Sequence, residues 1–122
     1  MARILIVDDS PTDVRVLGAM LERAGFQTLS AATAEDGIAM ARQERPDLIL
    51  MDVIMPGMNG FQATRTLSRD PETSAIPVII ITTKNMETDR IWGLRQGAKD
   101  FISKPPSERD LIARIQNLLA AS

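Results

Sequence analysis

The chain has 122 residues, is 44% hydrophobic and 25% charged, carries a formal net charge of −2 and contains neither Cys nor His. That length suits one domain with a real core, and the slightly acidic balance offers no basic patch for nucleic-acid phosphates. Without Cys there is no disulfide framework, thiolate metal site or thiol redox chemistry, and without His there is neither an imidazole base nor a phosphohistidine.

Arg3–Val7 is short, apolar and β-branched, as a buried parallel strand should be. Ser10-Pro11-Thr12-Asp13 then reads as a helix start, with Ser as N-cap and Pro at the first helical position. Val14, Leu17, Leu21 and Ala24 form the stripe of that helix, and Gly25 stops it. Gln27–Ala31 reads as a second, weaker strand, and Ala34–Glu44 as a helix with Ile38 and Ala41 inward, ended by Pro46 and Asp47. Leu48–Met51 is the most hydrophobic run and belongs mid-sheet. Met55–Gly60 is a turn-rich loop, followed by a helix to about Ser68 and a polar loop over Asp70–Ser74. Ile76–Ile81 is the fourth strand, with Pro77 tolerable only at its start. Met86–Gln96 is helical with Gly97 after it, Lys99–Ser103 is the fifth strand, and Ser107–Ala120 is a last helix with Leu111, Ile115 and Leu118 inward. This alternation predicts an α/β fold of (βα)₅ type around a parallel sheet. The opening Met1-Ala2-Arg3 lacks the long apolar region of a signal peptide, and no run approaches the ~18 apolar residues of a membrane span. A cytoplasmic protein of one domain over 1–122, without membrane insertion, nucleic acid or an output domain, is the expectation.

Polar groups stand at the ends of four of these runs: Asp8-Asp9, Asp52, Thr82 and Lys104. Each has a plain structural reading. Acids near a helix N-terminus favour the macrodipole, an aspartate can serve a turn, threonine ends many strands, and a lysine before proline is usually on the surface. Ligands of open parallel sheets, however, bind at the carboxyl ends of the strands. If the four runs are neighbours, three carboxylates, a hydroxyl and an ammonium share one crevice. Two carboxylates ~4 Å apart repel by roughly 4 kcal/mol at an effective dielectric near 20. A divalent cation relieves that repulsion, and carboxylates without Cys or His suit hard, oxygen-seeking Mg²⁺.

Asp8-Asp9, Asp52-x-x-Met55-Pro56-x-x-x-Gly60, Thr82 and Lys104-Pro105 together resemble the receiver domain of bacterial two-component response regulators, over essentially the whole chain. The likeness is to single-domain, chemotaxis-type regulators. Thr82-Thr83-Lys84 followed by Glu87–Ala98, with its Trp92-Gly93-Leu94-Arg95-Gln96-Gly97-Ala98 signature, is similar to the twitching-motility receivers of type IV pilus systems (PilH-like) and to phototaxis receivers. The resemblance implies a flavodoxin-like, doubly wound sheet of order 2-1-3-4-5. It implies that Asp52 accepts a phosphoryl group from a histidine kinase of the CheA type. Mg²⁺, or Mn²⁺ in its place, would be held by Asp9, Asp52 and the Ile54 backbone carbonyl, with Asp8 positioning its waters. Lys104 would pair with the phosphoryl oxygens and Thr82 would donate its hydroxyl to one of them. Lys104-Pro105 is expected to be cis.

The family's second state draws the fourth-strand hydroxyl inward, and an aromatic on the fifth strand follows. Here these are Thr82 and Phe101, with Phe in place of the frequent Tyr. The switch and partner surface is expected on helix four, strand five and helix five. There Ile91 and Leu94 should face the core and Trp92 the solvent, where Trp is a frequent binding hot spot. Phe101 is equally readable as core. Ile54 has no side chain to orient a hydrolytic water, which predicts slow to moderate self-dephosphorylation. Pro106, where a hydrophobic residue is usual, could shift the start of the last helix. The expected role is a monomeric stand-alone regulator acting on a motility or pilus target. A phosphate sink for a shared chemosensory kinase, or a phototaxis or flagellar receiver, is the alternative. A haloacid-dehalogenase-type phosphatase would need a second Asp two residues after Asp8, where Ser10 stands, and no phosphate-binding glycine loop follows the first strand.

Overall fold

The computed structural model describes residues 1–121. Strands and helices alternate as β1 (Arg3–Val7), α1 (Pro11–Arg23), β2 (Gln27–Ala31), α2 (Ala34–Glu44), β3 (Leu48–Met51), α3 (Gly60–Arg69), β4 (Val78–Thr82), α4 (Glu87–Arg95), β5 (Asp100–Ser103) and α5 (Glu108–Ala120). The strands form one parallel sheet in the order β2-β1-β3-β4-β5. Among the described residues no helix is long and apolar enough to cross a membrane.

The central strands are apolar at successive positions because both sheet faces are covered. Pleating sends Leu5, Val7, Ile49 and Met51 to one face, against Ile38 and Ala41 of α2 and Ala63 and Leu67 of α3. Ile4, Ile6, Leu48 and Leu50 go to the other, against Leu17 and Leu21 of α1 and Leu111 and Ile115 of α5. Each fully buried Leu or Ile stabilises the fold by about 1.5–3 kcal/mol. A third cluster of Val53, Phe61, Ile80, Ala98 and Phe101 lies where α3 and α4 meet the sheet.

Local chemistry fixes where the helices begin. The Ser10 hydroxyl accepts from the Asp13 N–H at 3.2 Å, and Pro11 opens α1. Thr33 and Ser107 cap α2 and α5 in the same way, so α5 starts beyond Pro106. Asn59 and Gln62 form a reciprocal capping box at the start of α3, each bond 3.0 Å.

Several boundaries differ from expectation. The Ile76 N–H is used by a turn to Thr73 O, so β4 starts at Val78 and includes Thr82, which pairs with Ser103. β5 starts at Asp100 rather than Lys99, α4 spans Glu87–Arg95 rather than Met86–Gln96, and α3 runs to Arg69. Ala24 is exposed because it is the C-cap of α1 and lies past its inward stripe. Ile91 is 41% exposed and does not face the core. Gly93 takes that place: a Cβ on it would stand 2.8 Å from Ile80 Cδ1 and 3.3 Å from Phe101 Cδ2. The helix therefore descends on its glycine and turns Ile91 outward.

Candidate functional site

Sheet register brings the acids together before side chains are considered. Val7 of β1 lies opposite Met51 of β3, so the next residues, Asp8 and Asp52, emerge side by side. This is where the strand order reverses, the usual ligand crevice of such sheets. The chain is anchored there by the Asp52 N–H on Val7 O and the Asp8 N–H on Ala31 O, both 3.0 Å.

Asp8 and Asp52 are buried and Asp9 is exposed. One carboxylate oxygen from each lies within 4.8 Å of the others. Backbone N–H groups hold two of these carboxylates. Asp52 Oδ1 accepts from the Val53 N–H at 2.8 Å and the Ile54 N–H at 3.4 Å, and Asp8 Oδ1 accepts from the Ser10 N–H at 3.0 Å. Burial raises the Asp52 carboxyl above the ordinary aspartate range; Lys104 opposes that rise and the Asp8 charge adds to it.

Lys104 closes the crevice from β5. Its backbone N–H donates to Thr82 O at 2.9 Å, and the Lys104-Pro105 peptide bond is cis, as expected. The ammonium donates to Asp8 Oδ2 at 2.6 Å and Asp13 Oδ2 at 2.9 Å, and lies 3.5 Å from Asp52 Oδ2. Burial works against its charge, but its hydrogen bonds to Asp8 and Asp13 and the nearby Asp52 prevail, and its pKa is pushed up to about 12. Asp13 is the site residue that sequence reasoning missed. Its position three residues after the Ser10 cap was explained by helix chemistry alone, and only the fold brings α1 beside the end of β5.

Thr82 is fully buried, and its hydroxyl accepts from the Lys84 N–H at 3.3 Å. The Lys84 ammonium turns instead to Asp89, 3.7 Å away in the first turn of α4. Ile54 is 54% exposed beside Asp52. The loop that carries it is drawn tight: the Gly60 N–H donates to Val53 O at 3.1 Å, and a Cβ on Gly60 would stand 2.0 Å from the Asp52 carbonyl oxygen. Only glycine fits there. Trp92 is 49% exposed, as expected, with Met86 and Ile91 also exposed. Phe101 is buried beneath α4, as its core reading has it, and Gly93 leaves room for its ring.

The donor set suits a hard divalent cation, since it consists of carboxylate oxygens without imidazole or thiolate. Asp8, Asp13 and Asp52 surround one ammonium and Asp9 stands beside Asp8 and Asp52, so the crevice stays net negative even with Lys104 in it. A dication would offset most of that negative charge and so ease the approach of an anion.

The sequence matches the response regulator receiver domain family over residues 4–116. It is 62% identical over 120 residues to protein PilH of Pseudomonas aeruginosa, covering 98% of this chain and 99% of that one. It is 45% identical to response regulator PleD of Caulobacter vibrioides over 96% of this chain, but spans only 26% of that longer protein. Among solved structures, chemotaxis protein CheY4 of Vibrio cholerae superposes with a TM-score of 0.90 at 29% identity, covering 97% of this chain and 98% of that one.

Proposed function

This chain belongs to the response regulator receiver domain family, and from that premise we propose that Asp52 is its phosphoryl acceptor, taking the group from a phosphohistidine of a CheA-type kinase. The observation that carries the reading is the placement of Asp52, buried at the end of β3 with Asp8, Asp9 and Lys104 around it. An oxygen of the Asp52 carboxylate forms the new P–O bond as the donor's P–N bond breaks, and the electron pair stays with the imidazole nitrogen. Hydrolysis then breaks the acyl phosphate, returning the carboxylate and releasing inorganic phosphate.

A carboxylate and a phosphoryl group are both anionic, so the barrier is lowered chiefly by positioning and opposing charge. Lys104 supplies a fixed positive charge against the phosphoryl oxygens. The Val53 and Ile54 N–H groups orient the Asp52 carboxylate. Asp8, Asp9, Asp52 and the Ile54 carbonyl would hold Mg²⁺, or Mn²⁺, whose chemistry is to neutralise charge on the transferring oxygens. Thr82 gives its hydroxyl to the phosphorylated state and releases the Lys84 N–H it now accepts from. That couples the site to the loop before α4, and the α4-β5-α5 face with Trp92 receives the change. Phe101 acts from beneath this face, as a buried wedge.

The protein's likeness to PilH and to twitching-motility receivers supports a role in type IV pilus motility as a stand-alone, monomeric, cytoplasmic regulator of one receiver domain. Exposed Trp92, Ile91 and Met86 favour a partner-binding output over a pure phosphate sink. The test is phosphotransfer from the host's histidine kinases to the parent protein and to Asp52→Asn. The parent is expected to take label, and Asn to abolish it. Label retained in the Asn variant overturns the acceptor assignment. If the phosphorylated form drains a shared kinase yet binds no pilus component more tightly than the unphosphorylated form, the sink reading replaces the output one.

A further inference from the structure

Lys104 is shared among three acids, and they do not hold it equally. Its ammonium has three protons. Two are directed at Asp8 and Asp13, at 2.6 and 2.9 Å, while Asp52 stands farther off at 3.5 Å. Asp8 follows β1, the neighbour of the acceptor strand, whereas Asp13 belongs to α1, outside the sheet. The α1 contact therefore competes for the cation with the residue proposed to accept the phosphoryl group, and is the shorter of the two.

We propose that Asp13 is a positioning residue that restrains Lys104 in the unphosphorylated protein, so that α1 sets how readily Asp52 is phosphorylated. The inference rests on the assignment of Asp52 as acceptor and adds to it a brake outside the acceptor and metal residues. An incoming phosphoryl group must recruit Lys104 from Asp13, and it also meets the Asp13 charge. Both effects oppose uptake of an anion.

The geometry makes Asp13 separable from the fold. Its side chain is 42% exposed. The Ser10 cap uses the Asp13 backbone N–H, which any substitution keeps. Asp13 and Lys104 also line an open cleft of about 240 Å³ with Thr83 and Pro106, so shortening the side chain leaves no sealed void. Asp36 supplies a matched control. It holds the equivalent position in α2, with its N–H donating to the Thr33 cap at 3.1 Å, and its charge is the same.

The experiment measures phosphorylation of the full chain by acetyl phosphate with Mg²⁺, for the parent, Asp13→Ala, Asp13→Asn, Asp13→Glu, Asp36→Ala and Asp52→Asn. Asp13→Ala is expected to raise the initial rate roughly two- to tenfold, the range of one partly screened charge contact. Asp13→Asn should fall between Ala and the parent, because its amide oxygen still accepts from Lys104. Asp13→Glu should return toward the parent, and Asp36→Ala should match it. In the metal-free protein, the Lys104 ε-methylene NMR signals should move in Asp13→Ala and stay near the parent's in Asp36→Ala. Equal rates for Asp13→Ala and Asp36→Ala, a slower Asp13→Ala, or unmoved Lys104 signals would each overturn the restraint. A parent that takes no label, or label kept by Asp52→Asn, overturns the acceptor assignment and this inference with it. Labelling of the parent alone, with no response to Asp13, defeats only this one.

Discussion

At Asp52 the folded protein holds a carboxylate where burial disfavours its charge. Because its folded pKa is raised, the ionised form is less favourable in the native state than in the unfolded chain. The stabilising side of that shift is complete below the unfolded aspartate value of ~3.9 and is lost as pH rises through the folded value. At neutral pH the acceptor therefore costs stability, as functional groups often do. Metal-free Asp52→Asn should melt above the parent at pH 7, and the gap should close as the pH falls through the folded value toward about 4. A gap that widens on acidification in calorimetric melts would mean that Lys104 outweighs burial. The placement of Asp52 in the crevice was legible from its position after Leu48–Met51 and its spacing to Lys104. Its partner Asp13 was not, because capping chemistry already accounted for an acid at that place in α1.

Among the elements, α4 departs most from its sequence pattern. Its apolar residues suggest an inward Ile91, yet Gly93 makes the closest approach and lies over Ile80, Phe101 and Phe61. A helix resting on glycine sits closer to the sheet than one resting on a side chain, and its larger residues are left outside. Trp92, Ile91 and Met86 are thus left exposed, while Phe101 is sealed below. Gly93→Ala should destabilise the fold by about 1–3 kcal/mol through overpacking, with the lone Trp emission changing as α4 lifts. Denaturant unfolding followed by Trp92 fluorescence measures both, and an alanine variant as stable as the parent would show that Ile80 and Phe101 yield at little cost. Alternation of apolar runs located α4 within a residue or two. Its rotation about its own axis was hidden, because a glycine carries no hydrophobic signal.

For the molecule as a whole, parallel pairing converts distant chain positions into one charged crevice, and its excess negative charge should couple metal binding to stability. A cation bound only by the native state stabilises by about 2.7 kcal/mol at a hundred times its dissociation constant. Mg²⁺ at saturating concentration should therefore raise the Tm of the parent by several degrees. Asp9→Asn, which removes one of the mutually repelling charges, should melt at or above the parent without metal and lose most of the Mg²⁺-induced rise. Equal Mg²⁺ responses in both proteins would remove Asp9 from the metal site. The strand-end acids, the glycine loop after Asp52 and the alternation of elements are local features, so the sequence by itself determined the fold class and the principal residues of the site. Each depends on composition and spacing within one or two elements. Which acids share Lys104, which face of α4 is buried and where Phe101 lies were decided only by tertiary structure. These follow from distances between elements far apart in the chain, and those distances are set by how closely helices pack on the sheet.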